Sequence, residues 1–329
     1  AMKLLIVGLG SMGKRRARLA RGLDKDIRIA GVDTAESRRE EAVNLGLTDA
    51  AYPSIGEAVE AFAPDAALVC TAPLSHAAVI GELLDADLPV FTELNLVSDG
   101  YAENLAKAKA RNLVLFLSST MLYRREIQYI KAQTEAFGKP VHYIYHIGQY
   151  LPDWHPWENY KNFFVGNART GGVREILGID LPWLLDTFGP VEDVTIRCDS
   201  ISDLGLPYPD CATLLLRHAS GAQGVLAADV VSPKAVRNFE CFGDGLHLFW
   251  EGNPKALYRY ADGDKQLVDT YGDFTHDPRY SDNIVENAYV DELANFFAVL
   301  KGEESPRWSF EKDLAAIDIM DKVQAAGQA

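Results

Sequence analysis

The residues with the most telling spacing are Gly8, Gly10 and Gly13, in the stretch Leu4-Leu5-Ile6-Val7-Gly8-Leu9-Gly10-Ser11-Met12-Gly13. This is the G-x-G-x-x-G spacing. Gly8 would make the tight turn, Gly10 would let the backbone approach a pyrophosphate, and Gly13 would let the next helix lie close on the strand. Ser11 and Met12 fall in the first turn of that helix, whose free N–H groups would point at the phosphates. Asp33 closes a second apolar run, Ile27-Arg28-Ile29-Ala30-Gly31-Val32, twenty positions beyond Gly13. At that distance a carboxylate can hold the ribose 2′-hydroxyl of NAD.

A second set of residues could move protons or fix a substrate. Glu175 and Asp180 lie on a predicted helix over 173–188 and are candidate proton acceptors. Five residues correspond to about 500° of helical rotation, so the two carboxylates do not share a face. His155 and Lys161 sit in an aromatic, turn-rich segment that also holds Trp154 and Trp157, which could stack on a sugar ring or fill a core. Arg124, next to Tyr123, could fork a carboxylate or phosphate, or form a structural salt bridge. His142 and His146 share a strand face. No cysteine or carboxylate stands at ligand spacing beside them, and no metal is expected. No G-x-S-x-G or Cys–His pattern points to hydrolysis.

The elements that must position these residues fall into two halves. Up to Ser119, apolar strands at 66–71, 88–93 and 113–118 alternate with helices at 37–44, 54–62, 76–84 and 102–110. Such alternation predicts an α/β fold with a doubly wound parallel sheet. Beyond it come a helix over 123–137, an alternating strand over 140–150, and the helix carrying Glu175 and Asp180. Strands follow at 191–198, 212–218, 224–231, 237–242, 246–250 and 256–260, then a polar loop over 261–282 and helices over 284–300 and 310–323. The expected domains are a dinucleotide-binding unit over 1–119 and an α/β unit over 120–329 with a large, open-faced, mostly antiparallel sheet. Its strands carry too many apolar residues for a solvated face, which predicts a homodimer or homotetramer through that sheet.

Composition narrows the function. A length of 329 residues favours two domains. The net charge of −15 argues against nucleic acid and against an anionic membrane surface. Cys70, Cys198, Cys211 and Cys241 form no C-x-x-C pair and read as reduced thiols in a reducing, cytoplasmic setting. No apolar stretch is long enough to span a bilayer.

The glycine-rich unit, Cys70-Thr71-Ala72-Pro73-Leu74-Ser75-His76 and Thr92-Glu93-Leu94-Asn95 occur in an order that resembles the glucose–fructose oxidoreductase / inositol dehydrogenase / MocA family. The likeness spans essentially the whole chain. It implies that Thr71, Ala72, Pro73 and His76 run beneath the cofactor and that Glu93 borders both cofactor and substrate. The family's Glu-Lys-Pro motif reads Glu93-Leu94-Asn95 here, so leucine replaces the usual lysine. In the family's D-x-G-x-H-x-x-D pattern, aligned on Gly178, Ile176 takes the first aspartate, Asp180 the histidine and Trp183 the last aspartate. A looser likeness links the segment 149–161 to family members of nonulosonic-acid and surface-glycan sugar metabolism.

The resemblance implies an NAD(H)-dependent oxidoreductase acting on a hydroxyl or carbonyl of a sugar or sugar derivative. Asp180, His155, Lys161 and Tyr123 are the expected catalytic groups. Glu93, Asn95, Arg124, Trp154 and Trp157 are the expected substrate contacts. The alternatives are a non-redox protein that holds NAD and binds a sugar, and an epimerase or lyase that oxidises its substrate transiently.

Overall fold

The structure is a computed structural model; it describes residues 1–272, 274, 276–279 and 284–329. The chain forms two compact units. The first is Ala1–Ser119 with Tyr289–Glu311, and the second is Thr120–Ala288 with Lys312–Ala329. The segment Tyr289–Glu311, expected with the second half, therefore packs with the first.

In the first unit, β1 (Lys3–Val7), β2 (Arg28–Val32), β3 (Ala50–Tyr52), β4 (Ala66–Val69), β5 (Val90–Thr92) and β6 (Leu115–Leu117) form a parallel sheet in the order β3-β2-β1-β4-β5-β6. Helices α1 (Ser11–Leu23), α2 (Glu36–Asn44), α3 (Ile55–Phe62), α4 (His76–Asp85) and α5 (Tyr101–Ala110) connect them. Leu4, Leu5 and Ile6 are wholly buried, as a central strand covered on both faces requires. Ser54 caps α3 by accepting the Glu57 N–H at 3.3 Å. The short edge strand β3 carries no apolar run and escaped the sequence pattern.

The second unit opens with a 3-10 turn over Thr120–Tyr123, so the helix expected from 123 begins two residues later as α6 (Arg125–Phe137). Strand β7 (His142–Gly148) and helix α7 (Gly172–Phe188) follow, separated by three short 3-10 turns in the aromatic segment. The remaining strands are β8 (Val191–Asp199), β9 (Cys211–His218), β10 (Gln223–Asp229), β11 (Val236–Gly243), β12 (Leu246–Trp250), β13 (Leu257–Ala261) and β14 (Asp264–Leu267). They pair in the order β14-β13-β12-β11-β7-β10-β9-β8, antiparallel except for β7 against β10. Strand β14 lies inside the stretch expected to be loop over 261–282; residues 273, 275 and 280–282 of that loop lie outside the described residues. Helices α8 (Glu286–Leu300) and α9 (Phe310–Ala326) end the chain, and each contributes residues to both units.

Alternation sorts the large sheet into two faces. Tyr143, Tyr145, Phe239, Cys241, Leu248 and Trp250 are buried on one. On the other, the register aligns Leu215, Val225, Ile144 and Glu240 across four strands, and Ile144 and Leu215 are about half exposed, at 49% and 53%. Among the described residues no helix is long and apolar enough to cross a membrane. The four cysteines are free.

Candidate active site

The glycine turn after β1 has the shape its spacing predicts. Gly8 has φ +95°, and a Cβ there would meet the Cys70 carbonyl oxygen at 2.7 Å. A Cβ on Gly13 would stand 1.8 Å from the Gly8 carbonyl oxygen, so only glycine lets α1 lie this close to β1. A Cβ on Gly10 would meet nothing within 4 Å, which is open space for a ligand to approach the backbone. Gly10 is the N-cap of α1; no side chain caps the turn and no acidic residue stands in it. The positive end of the helix dipole is thus left for an anion.

Asp33 closes this site at the end of β2. Its Oδ2 accepts the Leu9 N–H at 3.0 Å and its Oδ1 accepts the Ala35 N–H at 2.9 Å. The carboxylate therefore pins the glycine turn to the turn before α2, with lone pairs left for a ribose hydroxyl. Arg38 stands 3.7 Å from Oδ2. The residues fit a dinucleotide, with the pyrophosphate at Gly8–Gly13 and the adenosine ribose at Asp33.

The loop after β4 forms a second wall beside the glycine turn, where the Cys70 carbonyl faces Gly8. Ser75 Oγ donates to Thr71 Oγ1 at 2.7 Å, and Pro73 starts a 3-10 turn that feeds α4. Buried His76 has Nε2 2.8 Å from the Thr71 carbonyl and Nδ1 2.7 Å from the Asn95 amide. A carbonyl only accepts, so Nε2 carries the proton. Burial lowers the His76 pKa, and the neutral ring then needs a donor at Nδ1. The Asn95 amide must present its N–H₂ there, which leaves its oxygen as a buried, unused acceptor. In either orientation one Asn95 amide atom lacks a partner.

Glu93 ends the same wall, held by a cation that the sequence reading missed. Arg16 is fully buried. It donates from Nε to Glu93 Oε1 at 2.6 Å, and from Nη2 to Glu93 Oε2 at 3.1 Å and Glu292 Oε1 at 2.7 Å. Burial opposes the Arg16 charge, but Glu93 and Glu292 outweigh it and keep the guanidinium charged. Burial raises the Glu292 pKa against the pull of Arg16. The available signal was spacing: Arg16 lies three residues after Gly13, on the helix face that meets the sheet. Glu93 is thus an ion-pair partner first, and its side chain keeps 14% exposure.

In the second unit the expected groups separate. Asp180 has no exposure; its Oδ1 accepts from Tyr145 Oη at 2.5 Å, from Trp183 Nε1 at 2.8 Å and from Arg237 Nη1. That is the setting of a paired counter-ion, where a carboxylate facing a dry cleft was expected. Arg124 is 4% exposed and is engaged by Glu126 Oε2, the Gly252 carbonyl and the Trp250 ring, in a buried ion pair rather than a surface one. Tyr123 is buried in the 3-10 turn.

The aromatic segment stays outside the core. His155 stacks between Trp157 and Phe163, with ring centroids 4.9 and 4.5 Å away, and its Nδ1 lies 2.8 Å from Glu158 Oε1. Trp157 is 74% exposed. Trp154 is half-buried, donating to the Gln149 carbonyl at 3.3 Å, and Lys161 is exposed near the Tyr160 ring. His146 pairs with Asp229 at 2.7 Å, and among the described residues no three metal-ligating groups cluster.

Glu175, on the first turn of α7, behaves differently from Asp180. Its Oε2, like Asp180 Oδ2, is buried without a partner, but Asp180 is paired with Arg237 whereas burial alone acts on Glu175 and pushes its carboxyl up to about 7. Its neighbour Tyr208 is committed elsewhere, accepting the Gly172 N–H at 2.9 Å and donating to the Val165 carbonyl at 2.7 Å. A carboxyl poised near neutrality is suited to accept and return a proton.

Comparison with known proteins agrees with this architecture. Residues 2–116 match the family model GFO/IDH/MocA, described as an oxidoreductase family with an NAD-binding Rossmann fold. The chain is 25% identical to myo-inositol 2-dehydrogenase of Thermotoga maritima over 338 residues, covering 96% of this chain and 93% of that one. An oxidoreductase from Agrobacterium radiobacter, solved with NAD+, L-tartaric acid and magnesium, superposes with TM-score 0.81 at 13% identity, covering 99% of this chain and 96% of that one. The WlbA dehydrogenase of Chromobacterium violaceum, solved with NADH and UDP-GlcNAcA, superposes with TM-score 0.80 at 14% identity, covering 99% and 94%. Residues 2–116 of this chain carry the NAD-binding Rossmann fold that the Gfo/Idh/MocA oxidoreductase model describes.

Proposed function

We propose that the protein is an NAD(H)-dependent oxidoreductase acting on a hydroxyl or carbonyl of a sugar or sugar derivative. The observation that carries this reading is the glycine turn: an open Gly10, a Gly13 that admits no side chain, an uncapped α1 and Asp33 behind it. The bound nicotinamide supplies a hydride acceptor or donor. The chain's own residues do the rest. Gly8, Gly10, Ser11, Met12 and Gly13 hold the pyrophosphate, Asp33 the ribose, and Thr71, Ala72, Pro73, His76 and Glu93 line the nicotinamide half. Asn95 offers its unused amide atom to the substrate. Leu94 can neither take a proton nor donate a hydrogen bond. With Asp180 enclosed, Glu175 is the carboxyl group best suited to proton transfer; His155 and Lys161 remain the other candidates. Trp154 and Trp157 offer ring faces to a sugar, and the apolar sheet face is covered by a second copy of the chain. Relatives named as acting on inositol or binding UDP-GlcNAcA support a polyhydroxylated substrate.

A second reading is favoured by Leu94 together with the enclosed Asp180: an NAD-holding protein that binds a sugar without net oxidation, or that oxidises it only transiently. The cofactor step is tested separately, by titrating NAD into wild type and Gly10→Val. A side chain at Gly10 meets no protein atom, so the variant should fold with unchanged thermal stability and lose NAD binding. Equal NAD affinity in both would overturn the site.

A further inference from the structure

Arg237 lies on β11 at an inward-facing position, in register with Ile147 of β7. Its Nη1 donates to Asp180 Oδ1 and, at 2.8 Å, to Tyr145 Oη. Among the described residues its Nε and Nη2 make no hydrogen bond, and the side chain keeps 14% exposure. Asp180, Tyr145 and Trp183 beside it have none. A guanidinium carries five N–H donors, and those on Nε and Nη2 form one straight edge matched to two oxygens of an oxyanion. Here that edge is the open one. The opposite side is locked: Asp180 is held by Tyr145 and Trp183, and the rings of Tyr145, Trp183 and Phe239 pack edge-to-face at centroid distances of 5.1 to 5.5 Å.

We propose that the free edge of Arg237, aimed by Asp180, is a binding site for a carboxylate carried by the substrate. This deepens the reading of the chain as a sugar oxidoreductase by making its substrate an acidic sugar. The choice of carboxylate follows from charge. Arg237 and Asp180 together are neutral, the packed walls are aromatic, and no second cation belongs to the cluster; one fork on a neutral pair matches one planar, singly charged group better than a phosphate dianion. A ligand carboxylate would engage the three donors that the protein itself leaves unused. Asp180 is here a positioning residue: it fixes which edge of Arg237 is presented.

The test uses the full chain and acetate as the probe, and needs no turnover. Trp183 Nε1–H donates to the same Asp180 oxygen as Arg237, so its ¹H–¹⁵N resonance reports on the cluster. Acetate titrated against chloride at constant ionic strength should shift that resonance saturably in wild type. Arg237→Lys keeps the charge opposite Asp180, and hence the fold, but lacks the fork; it should weaken acetate by about 10- to 100-fold, the range for charge-assisted hydrogen bonds. Unchanged thermal unfolding checks that the variant is folded, and Arg237→Gln serves as the second variant if it is not. A non-saturable shift in wild type, or equal affinity in wild type and the variant, overturns the proposal. Saturable acetate binding by a protein that never reduces NAD would keep the site and remove the oxidoreductase reading instead.

Discussion

Glu175→Gln is the substitution with the most distinctive signature. The folded carboxyl titrates near 7 because burial disfavours its charge, against about 4.5 for an ordinary glutamate. A folded pKa raised in this way means that the folded state holds the proton more tightly than the unfolded chain. Stability is therefore greatest below the unfolded value and declines as pH rises from about 4.5 to 7, then levels off. About 1.4 kcal/mol per unit puts the loss near 3 to 3.5 kcal/mol at pH 8. Glutamine mimics the protonated side chain and removes the loss. The variant should match wild type in thermal unfolding at pH 4.5 and exceed it at pH 8 by about 7 to 13 °C, at 2–4 °C per kcal/mol for a unit of this size. If Glu175 takes the substrate proton, the same variant loses about 100-fold or more in turnover, while wild-type oxidation rises with pH through about 7. A stability difference that does not vary between pH 4.5 and 8 would refute the buried, unpaired carboxyl.

Three further outcomes follow from the described geometry. Asp33→Ala should narrow the preference for NAD over NADP measured at equal salt, because a 2′-phosphate no longer meets a carboxylate and Arg38 remains nearby; wild type binding NADP as tightly as NAD would contradict the assignment of Asp33. Arg16→Met should lower stability by about 3–5 kcal/mol, since it strands Glu93 and Glu292 together, with a smaller deficit at low pH where Glu292 is protonated; calorimetry across pH checks both the size and the trend. Light scattering at micromolar concentration should give at least a dimer mass, with Ile144→Lys and Leu215→Lys together reducing it, and a monomeric wild type would leave the apolar sheet face unexplained.

The cofactor half was legible because each signal there is local. A strand, a glycine turn and a helix are adjacent in sequence, and the conformational needs of Gly8 and Gly13 are met within one turn. The strands of the second sheet, β14 apart, were also legible from alternation. What escaped depends on contacts distant in sequence. Asp180 carries no mark of its bond to Arg237, 57 positions away, nor Arg16 of its bond to Glu292, 276 positions away. Arg237 did leave a trace: it alternates with Phe239 and Cys241, which places an arginine on an inward strand face. Arg124 looked equally suited to a ligand or a salt bridge, and its burial against Glu126 is a packing result that the sequence does not display. Glu175 and Asp180 are both carboxylates on one helix, and only packing separates the enclosed counter-ion from the group left near neutrality.

Hydride transfer itself is the central claim, and single-turnover spectroscopy of the NAD-loaded protein at the reduced-nicotinamide absorbance band tests it most directly. Each acidic sugar and its neutral counterpart is mixed with the protein in stopped flow. The reduced-nicotinamide signal should persist and require Gly10, with acidic sugars giving it at lower concentration than neutral ones. A signal that rises and decays without net product would assign transient oxidation instead. No signal with any polyhydroxylated substrate, from protein shown to bind NAD, would contradict the oxidoreductase reading.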